Sequence, residues 1–292
     1  MTIVEIIRKY QTQEQCIQFL EKARWAEGVI CPYCNSTKTG AKKESNRSPR
    51  HQCYSCQKSF SVTSGTIFDN AKLLPQWFQI LALMLNAKKS LSSYQISRDL
   101  GLRQGTALKI QNKIRVAMNT KESILLQGII EMDETYIGGK PRGNVGKNKR
   151  GRGTNKTAVV GVQERGGEVR VEVVDREKES MNFKTLKRIF DDNVDKIKSI
   201  LVTDEYLGYA PMGNNGVSHF VINHSERFVA GDVHTNSIEG FWSLIKRAWY
   251  GSHHHYSKKN THLYVGETSY VYNNRKNKNL FIDTIEKMLE KF

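Results

Sequence analysis

Ile129-Ile130-Glu131-Met132-Asp133-Glu134-Thr135-Tyr136-Ile137 is the stretch on which the fold turns. It begins apolar, then carries three carboxylates, and breaks at Gly138-Gly139. As a strand it sends alternate side chains to opposite faces: Met132 and Glu134 to one, and Glu131, Asp133 and Thr135 to the other. An aspartate near the end of an otherwise buried strand is costly unless its charge is compensated, most simply by a cation. Two later segments supply partners. Ser199-Ile200-Leu201-Val202-Thr203-Asp204 is a second apolar strand ending in Asp. His234-Thr235-Asn236-Ser237-Ile238-Glu239-Gly240-Phe241-Trp242 opens a helix that bears Glu239. Asp133, Asp204 and Glu239 are therefore expected to converge on two divalent ions, Mg²⁺ or Mn²⁺. A single acid proves nothing in a chain with 29 of them. The case rests on three acids at matching places in one strand-helix order.

Outward from this centre the alternation continues. β-Branched runs at 157–162 and 168–174 flank Arg165-Gly166-Gly167, a hairpin signal. A helix is expected over 182–190, strands over 200–203 and 219–222, and helices over 235–250 and 281–289. This succession is the order of an α/β ribonuclease-H-like domain. No internal repeat is present. Between the first two strands, residues 138–153 hold glycines and basic residues without an acid. Such a loop cannot pack as core, and is expected to be mobile and to bind phosphates near the acids.

The N-terminal part reads differently. Cys31-Pro32-Tyr33-Cys34 and Cys53-Tyr54-Ser55-Cys56 are two C-x-x-C pairs separated by 18 residues. That is zinc-ribbon spacing, two knuckles joined by a hairpin. Four thiolates favour Zn²⁺ in a closed structural site, here held by Cys31, Cys34, Cys53 and Cys56. Lys38, Lys42, Lys43, Arg47, Arg50 and His51 lie between the knuckles and offer a DNA contact. The fifth cysteine, Cys16, is expected to pack as a small apolar residue. It lies in the second of two helical pieces over 3–25, and Thr12-Gln13-Glu14-Gln15 has the form of a capping box that starts it. Residues 74–118 are helical, with Pro75 suited to a first turn and a stripe of Trp77, Phe78, Leu81 and Leu85. Gly101 then separates two helical segments, a helix-turn-helix arrangement. Arg103, Gln104, Lys109, Lys113 and Arg115 are its candidates for the major groove. The expected organisation is multidomain: a helical segment at 1–25, zinc ribbon at 26–63, helix-turn-helix region at 64–125, and ribonuclease-H-like catalytic domain at 126–292.

The formal net charge is +16, which favours a polyanionic partner such as DNA. No apolar run approaches the ~20 residues needed to span a bilayer. Met1-Thr2-Ile3-Val4-Glu5 lacks a secretory pattern, and the paired cysteines fit a reducing compartment, so a cytoplasmic, nucleoid-associated protein is expected.

Met132-Asp133-Glu134-Thr135-Tyr136-Ile137-Gly138-Gly139-Lys140, Thr203-Asp204-Glu205-Tyr206-Leu207-Gly208-Tyr209 and the segment from His234 to Arg247 together resemble bacterial insertion-sequence transposases related to the Merlin elements. Tyr272-Asn273-Asn274-Arg275 and the ribbon ahead of an integrase-like Asp-Asp-Glu domain extend the resemblance over nearly the whole chain. It implies an enzyme that binds terminal inverted repeats, cuts 3′ ends, and joins them to target DNA as a homo-oligomer assembled on DNA. Members of that family use Glu, Asn or His as the third ligand, with a downstream Lys. Here Asn236 and Glu239 are both candidates, three residues apart on one helix face. Glu239 is preferred because an anion holds Mg²⁺ better than an amide. Lys246 is placed to touch a phosphate. Phe241 and Trp242 read as core, and His253-His254-His255 as a loop with structural or DNA contacts. Two competing classes remain: a DNA-binding regulator without catalysis, and a nuclease or junction resolvase without strand transfer.

Overall fold

Thr2 and Thr12 each close a capping box, with Glu5 and Gln15 respectively, and so start helices α1 (Ile3–Lys9) and α2 (Gln13–Arg24). The computed structural model describes residues 1–42, 49–119, 124–139, 156–175, 177–222 and 234–290. They divide into two units: Met1–Ala87, Leu91–Met118 and Asn277–Phe292 in the first, and Lys88–Ser90 with Asn119–Lys276 in the second.

In the first unit, β1 (Thr39–Lys42), β2 (Arg50–Cys53) and β3 (Ser59–Phe60) form a small antiparallel sheet in that order. The expected hairpin between the knuckles is β1–β2. Helix α3 (Leu74–Asn86) carries Pro75 in its first turn and buries Trp77, Phe78 and Leu81. Ser92 caps α4 (Ser93–Leu100) by accepting from the Gln95 N–H at 3.2 Å. Gly101, at φ +63°, ends it in the left-handed conformation that glycine adopts without a Cβ penalty. Helix α5 (Gln104–Met118) follows. Its inward stripe includes Gln111, Arg115 and Met118, at i, i+4 and i+7. Arg115 is thus buried, donating to Asn112 Oδ1 at 2.9 Å, and is withdrawn from the expected groove-facing set. Lys113 donates to the Ile67 carbonyl and Gln104 to Ser93, whereas Arg103 and Lys109 are exposed.

The second unit is a mixed five-stranded sheet with helices on both faces. Its elements are β4 (Leu126–Ile137), β5 (Thr157–Glu164), β6 (Val169–Val174), α6 (Phe183–Asn193), β7 (Val194–Asp204), β8 (Ser218–Ile222), α7 (Asn236–Arg247) and α8 (Thr261–Asn273). Strand order is β6-β5-β4-β7-β8. The β4–β5 and β5–β6 pairs are antiparallel, while β4–β7 and β7–β8 are parallel. The expected hairpin turns at Gly166, φ +76°. Ile130, Met132, Val160 and Leu201 pack with Leu186, Ile189 and Phe190 of α6 on one face. Ile137 and Val159 pack with Ile238, Phe241, Trp242 and Ile245 of α7 and Val265 of α8 on the other.

Tertiary burial holds α7 in place. Gly240 in its interior costs about 1 kcal/mol relative to alanine. The four buried apolar side chains each contribute about 1.5–3 kcal/mol, which outweighs that cost. Beyond it a π-helical turn, Ala248–His253, takes in the end of the expected helix and the start of the expected loop. The His253 ring lies 3.0 Å from Ser90 Oγ and edge-on to Tyr264. These contacts are structural.

Helix α8 was not expected. Its last turn carries Tyr272 and Asn273. Asn273 bonds both backbone groups of Val169, at 2.8 and 2.9 Å, and Tyr272 Oη accepts from Gln163 at 2.9 Å. The motif therefore ties α8 to the β5–β6 hairpin. The last helix, α9 (Leu280–Leu289), belongs to the first unit. Phe281 packs edge-on to Phe78 and against Tyr10, in a cluster completed by Phe19. This differs from the span expected for the catalytic domain, 126–292, because the apolar face of α9 finds aromatic partners among the N-terminal helices. Cys16 is buried with its thiol pushed up to about 12 by desolvation, as an inert core residue should be. The basic loop expected to bind phosphates falls almost entirely in 140–155, outside the described residues, as do Lys43 and Arg47 of the ribbon.

Candidate active site and zinc ribbon

Parallel pairing of β4 with β7 sets Glu131 opposite Val202. Two residues further along each strand stand Asp133 and Asp204, on the face that α7 covers. Asp133 is half-buried and pairs across β4–β5 with Gly161. Its carboxyl is raised to about 7, by burial first and then by the neighbouring charges of Glu134 and Asp204. Trp242 Nε1 donates to Asp133 Oδ2 at 2.9 Å and opposes that rise. Gly161 makes the approach possible: a Cβ there would lie 2.6 Å from the Trp242 ring. Asp204 Oδ1 accepts from the Tyr206 N–H at 3.1 Å, which orients it at the end of β7.

On the opposite face Tyr209 donates to Glu134 Oε2 at 2.9 Å. The phenol is buried, and burial followed by the charges of Glu134, Asp133 and Asp204 keeps it protonated. Glu134 is thereby occupied away from α7.

Helix α7 presents the remaining candidates. Asn236, Glu239 and Lys246 are all exposed. Glu239 Oε1 accepts from the buried Thr235 hydroxyl at 3.2 Å. At 100° per residue, Glu239 stands about 60° and Lys246 about 40° from Trp242, whereas Asn236 is about 120° away. Trp242 touches Asp133, and Glu239 and Lys246 stand closer to the Trp242 direction around the helix than Asn236 does. From the sequence, Trp242 reads as core. It is core, and its indole N–H also reaches the acid.

The four cysteines form a tighter group. Their sulfurs all lie within 4.8 Å of one another, with Cys31–Cys56 at 3.7 Å and Cys34–Cys53 at 3.5 Å. A tetrahedron with Zn–S of about 2.3 Å has edges of about 3.8 Å, so the thiols fit Zn²⁺. The knuckles are built alike. The residue after each pair, Asn35 or Gln57, takes a positive φ, +57° and +58°. Cys31 N–H donates to the Ser36 carbonyl and Cys53 N–H to that of Lys58. Backbone donation from the Cys56 N–H holds the Cys53 thiol below its ordinary value. Phe60, Cys31 and Cys53 form a small core under Trp25 and Val29. Among the described residues, no other set of three or more His, Cys, Asp or Glu is gathered within that distance. Asp133, Asp204 and Glu239 do not form such a set. Among the described residues, too, no helix is long and apolar enough to cross a membrane.

Comparison with known proteins accounts for both regions. Residues 125–273 match the ISXO2-like transposase domain, and residues 11–59 match the transposase zinc-ribbon domain. The chain is also 25% identical, over 280 residues, to an uncharacterised protein in transposable element ISH50 of Halobacterium salinarum, covering 86% of this chain and 88% of that protein. A domain match spanning β4 through α8, with the ribbon matched separately ahead of it, establishes that the chain belongs to the family of insertion-sequence transposases with an ISXO2-like domain.

Proposed function

We propose that this transposase binds the ends of its insertion sequence, cleaves a strand at each end, and joins the freed 3′ ends to target DNA. The observation that carries the reading is the pair Asp133 and Asp204, two residues beyond the paired Glu131 and Val202 on the adjacent parallel strands β4 and β7, close enough for the Asp204 charge to act on Asp133. The central β4, flanked by an antiparallel hairpin on one side and parallel strands on the other, supports assigning the second unit to the ribonuclease-H-like class. Three oxygen donors, Asp133, Asp204 and Glu239, are the chemistry that Mg²⁺ or Mn²⁺ takes. Bound there, the ions would neutralise phosphate charge and activate the attacking water or 3′ hydroxyl. Burial first, and then the neighbouring charges of Glu134 and Asp204, raise Asp133, and this supports the reading because a cation would offset both.

The protein's own groups orient the site. Trp242 fixes one oxygen of Asp133, Tyr206 N–H fixes Asp204, and Thr235 steadies Glu239. Lys246, on the same helix edge, takes a phosphate. Arg103 and Lys109, exposed on and before α5, contact the DNA near the element ends, with the ribbon's Lys38, Lys42 and Arg50 as further contacts. A homo-oligomer forms on DNA, because two ends must be joined in one event.

The test is to incubate the full chain with Mg²⁺ and DNA carrying the inverted repeats that flank its own gene. Joining of 3′ ends to a target plasmid is expected. Cleavage without joining would identify a nuclease, and binding alone a regulator.

A further inference from the structure

Glu131 is fully buried and belongs to no ion-binding set, yet four hydrogen bonds converge on its carboxylate. Oε1 accepts from Arg165 Nε at 2.9 Å and from the Ser237 hydroxyl at 3.0 Å. Oε2 accepts from the backbone N–H of Ser237 at 2.9 Å and of Ile238 at 3.1 Å. His234 Nδ1 stands 3.5 Å from Oε1, and Arg165 also donates to the His234 carbonyl at 2.8 Å. A helix N-terminus leaves its first N–H groups without partners, and a cap residue supplies an acceptor. In α7 the cap position, Thr235, makes no side-chain cap bond. A carboxylate from a strand more than a hundred residues earlier does the work instead.

The register gives this bond its meaning. Glu131 precedes Asp133 by two residues and shares its face of β4. Ser237 and Ile238 precede Glu239 directly. One buried carboxylate therefore joins the strand that holds Asp133 to the turn of helix that holds Asn236 and Glu239. Arg165, from the β5–β6 turn, is the third point of attachment and is itself tied to β4 through its N–H to the Ile129 carbonyl. Trp242 makes a second link one turn on, through Asp133 itself.

We propose that Glu131 is a positioning residue, a clamp between β4 and the first turn of α7 that keeps Glu239 in register with Asp133 and Asp204. The proposal rests on the reading of those acids as one cation site. It touches neither ion nor DNA. Its effect is on how well a site assembled from two distant segments is held before an ion arrives.

The test uses the full zinc-loaded chain and three variants: Glu131→Gln, Ser237→Ala and Asp133→Asn. Glutamine keeps the volume but turns one acceptor into a donor facing N–H groups. Ser237→Ala removes a single hydroxyl bond and keeps the fold if Glu131→Gln does not. Amide hydrogen exchange at Ser237 and Ile238, and Mn²⁺ affinity followed by its paramagnetic resonance signal, are measured alongside the melting temperature. Glu131→Gln is expected to speed exchange at both amides at least tenfold and weaken Mn²⁺ about tenfold. Ser237→Ala should move both in the same direction by two- to threefold, with its melting temperature unchanged. Wild-type exchange rates in both Glu131→Gln and Ser237→Ala would overturn the clamp. So would faster exchange with Mn²⁺ affinity intact, provided Asp133→Asn loses Mn²⁺. If Asp133→Asn binds Mn²⁺ as the wild type does, the cation-site reading fails. The mechanical clamp then stands or falls on the exchange rates alone.

Discussion

The zinc ribbon and the proposed carboxylate site are both sets of potential metal ligands, but their residues are placed by different means. Each knuckle of the ribbon takes two ligands from four consecutive residues, and its turn is closed by one left-handed residue, Asn35 or Gln57. Short β-strands then bring the two knuckles together, and the sulfurs come to rest within 4.8 Å of one another. The proposed carboxylate ligands lie on two strands and a helix, up to 106 residues apart. Their approach depends on the β4–β7 register, on α7 docking over Gly161, and on Glu131 holding the helix end. Local spacing builds the first site. Long-range packing places the proposed carboxylate ligands, and Asn236, Glu239 and Lys246 of α7 are exposed to water.

This contrast predicts where each region breaks. The largest effect should follow zinc removal. Structural zinc contributes about 10–16 kcal/mol of apparent binding energy in small zinc modules. The ribbon's own core amounts to Phe60 with Cys31 and Cys53. Chelation, or Cys31→Ser, should unfold the ribbon and lower DNA affinity while the aromatic cluster of Tyr10, Phe19, Phe78 and Phe281 persists. Zinc content and near-ultraviolet circular dichroism check this; unchanged zinc content in Cys31→Ser would contradict it. Next comes Asp133→Asn or Asp204→Asn, each of which should cost on the order of 10³-fold or more in strand cleavage, the scale of losing a key electrostatic group. DNA binding by gel shift should survive, because neither acid supplies positive charge.

Smaller effects sharpen the comparison. Gly161→Ala places a methyl where the Trp242 ring lies, and such overpacking costs about 1–3 kcal/mol. Thermal melting should register that loss, and cleavage should fall more than DNA binding does. At the lower end, Arg103→Ala and Lys109→Ala should each weaken DNA binding and reduce its salt slope by about 1 while leaving stability alone. Arg115→Ala should do the reverse, since Arg115 is buried.

What could be read from the chain follows the same division. Cys31, Cys34, Cys53 and Cys56, the capping box at Thr12, and the Gly166 hairpin are signals spanning a few residues, and local geometry realises them. Asp133 and Asp204 were also legible, because a period of two assigns them a face and two apolar strands ending in Asp invite pairing. The i, i+4, i+7 stripe on α5 marks Arg115 as facing inward, against the outward place its charge suggests. Glu131 and Arg165 were not legible as a clamp, since nothing local marks a strand carboxylate as the cap of a distant helix. Nor could Gly161 be recognised, one small residue in a valine run whose purpose is the indole across from it. Helix α9 joins the first unit for the same reason: the partners of Phe281, Phe78 and Tyr10, are 203 and 271 residues away.

The central claim, that acids from β4 and β7 act as ligands of one catalytic cation site, is tested most directly by changing ligand chemistry at Asp133. Thiolates bind Mg²⁺ poorly and accept softer ions more readily. Asp133→Cys should therefore bind element-end DNA normally, fail to cut it with Mg²⁺, and regain cutting with Mn²⁺. Wild-type cutting by Asp133→Cys in Mg²⁺ would contradict the account.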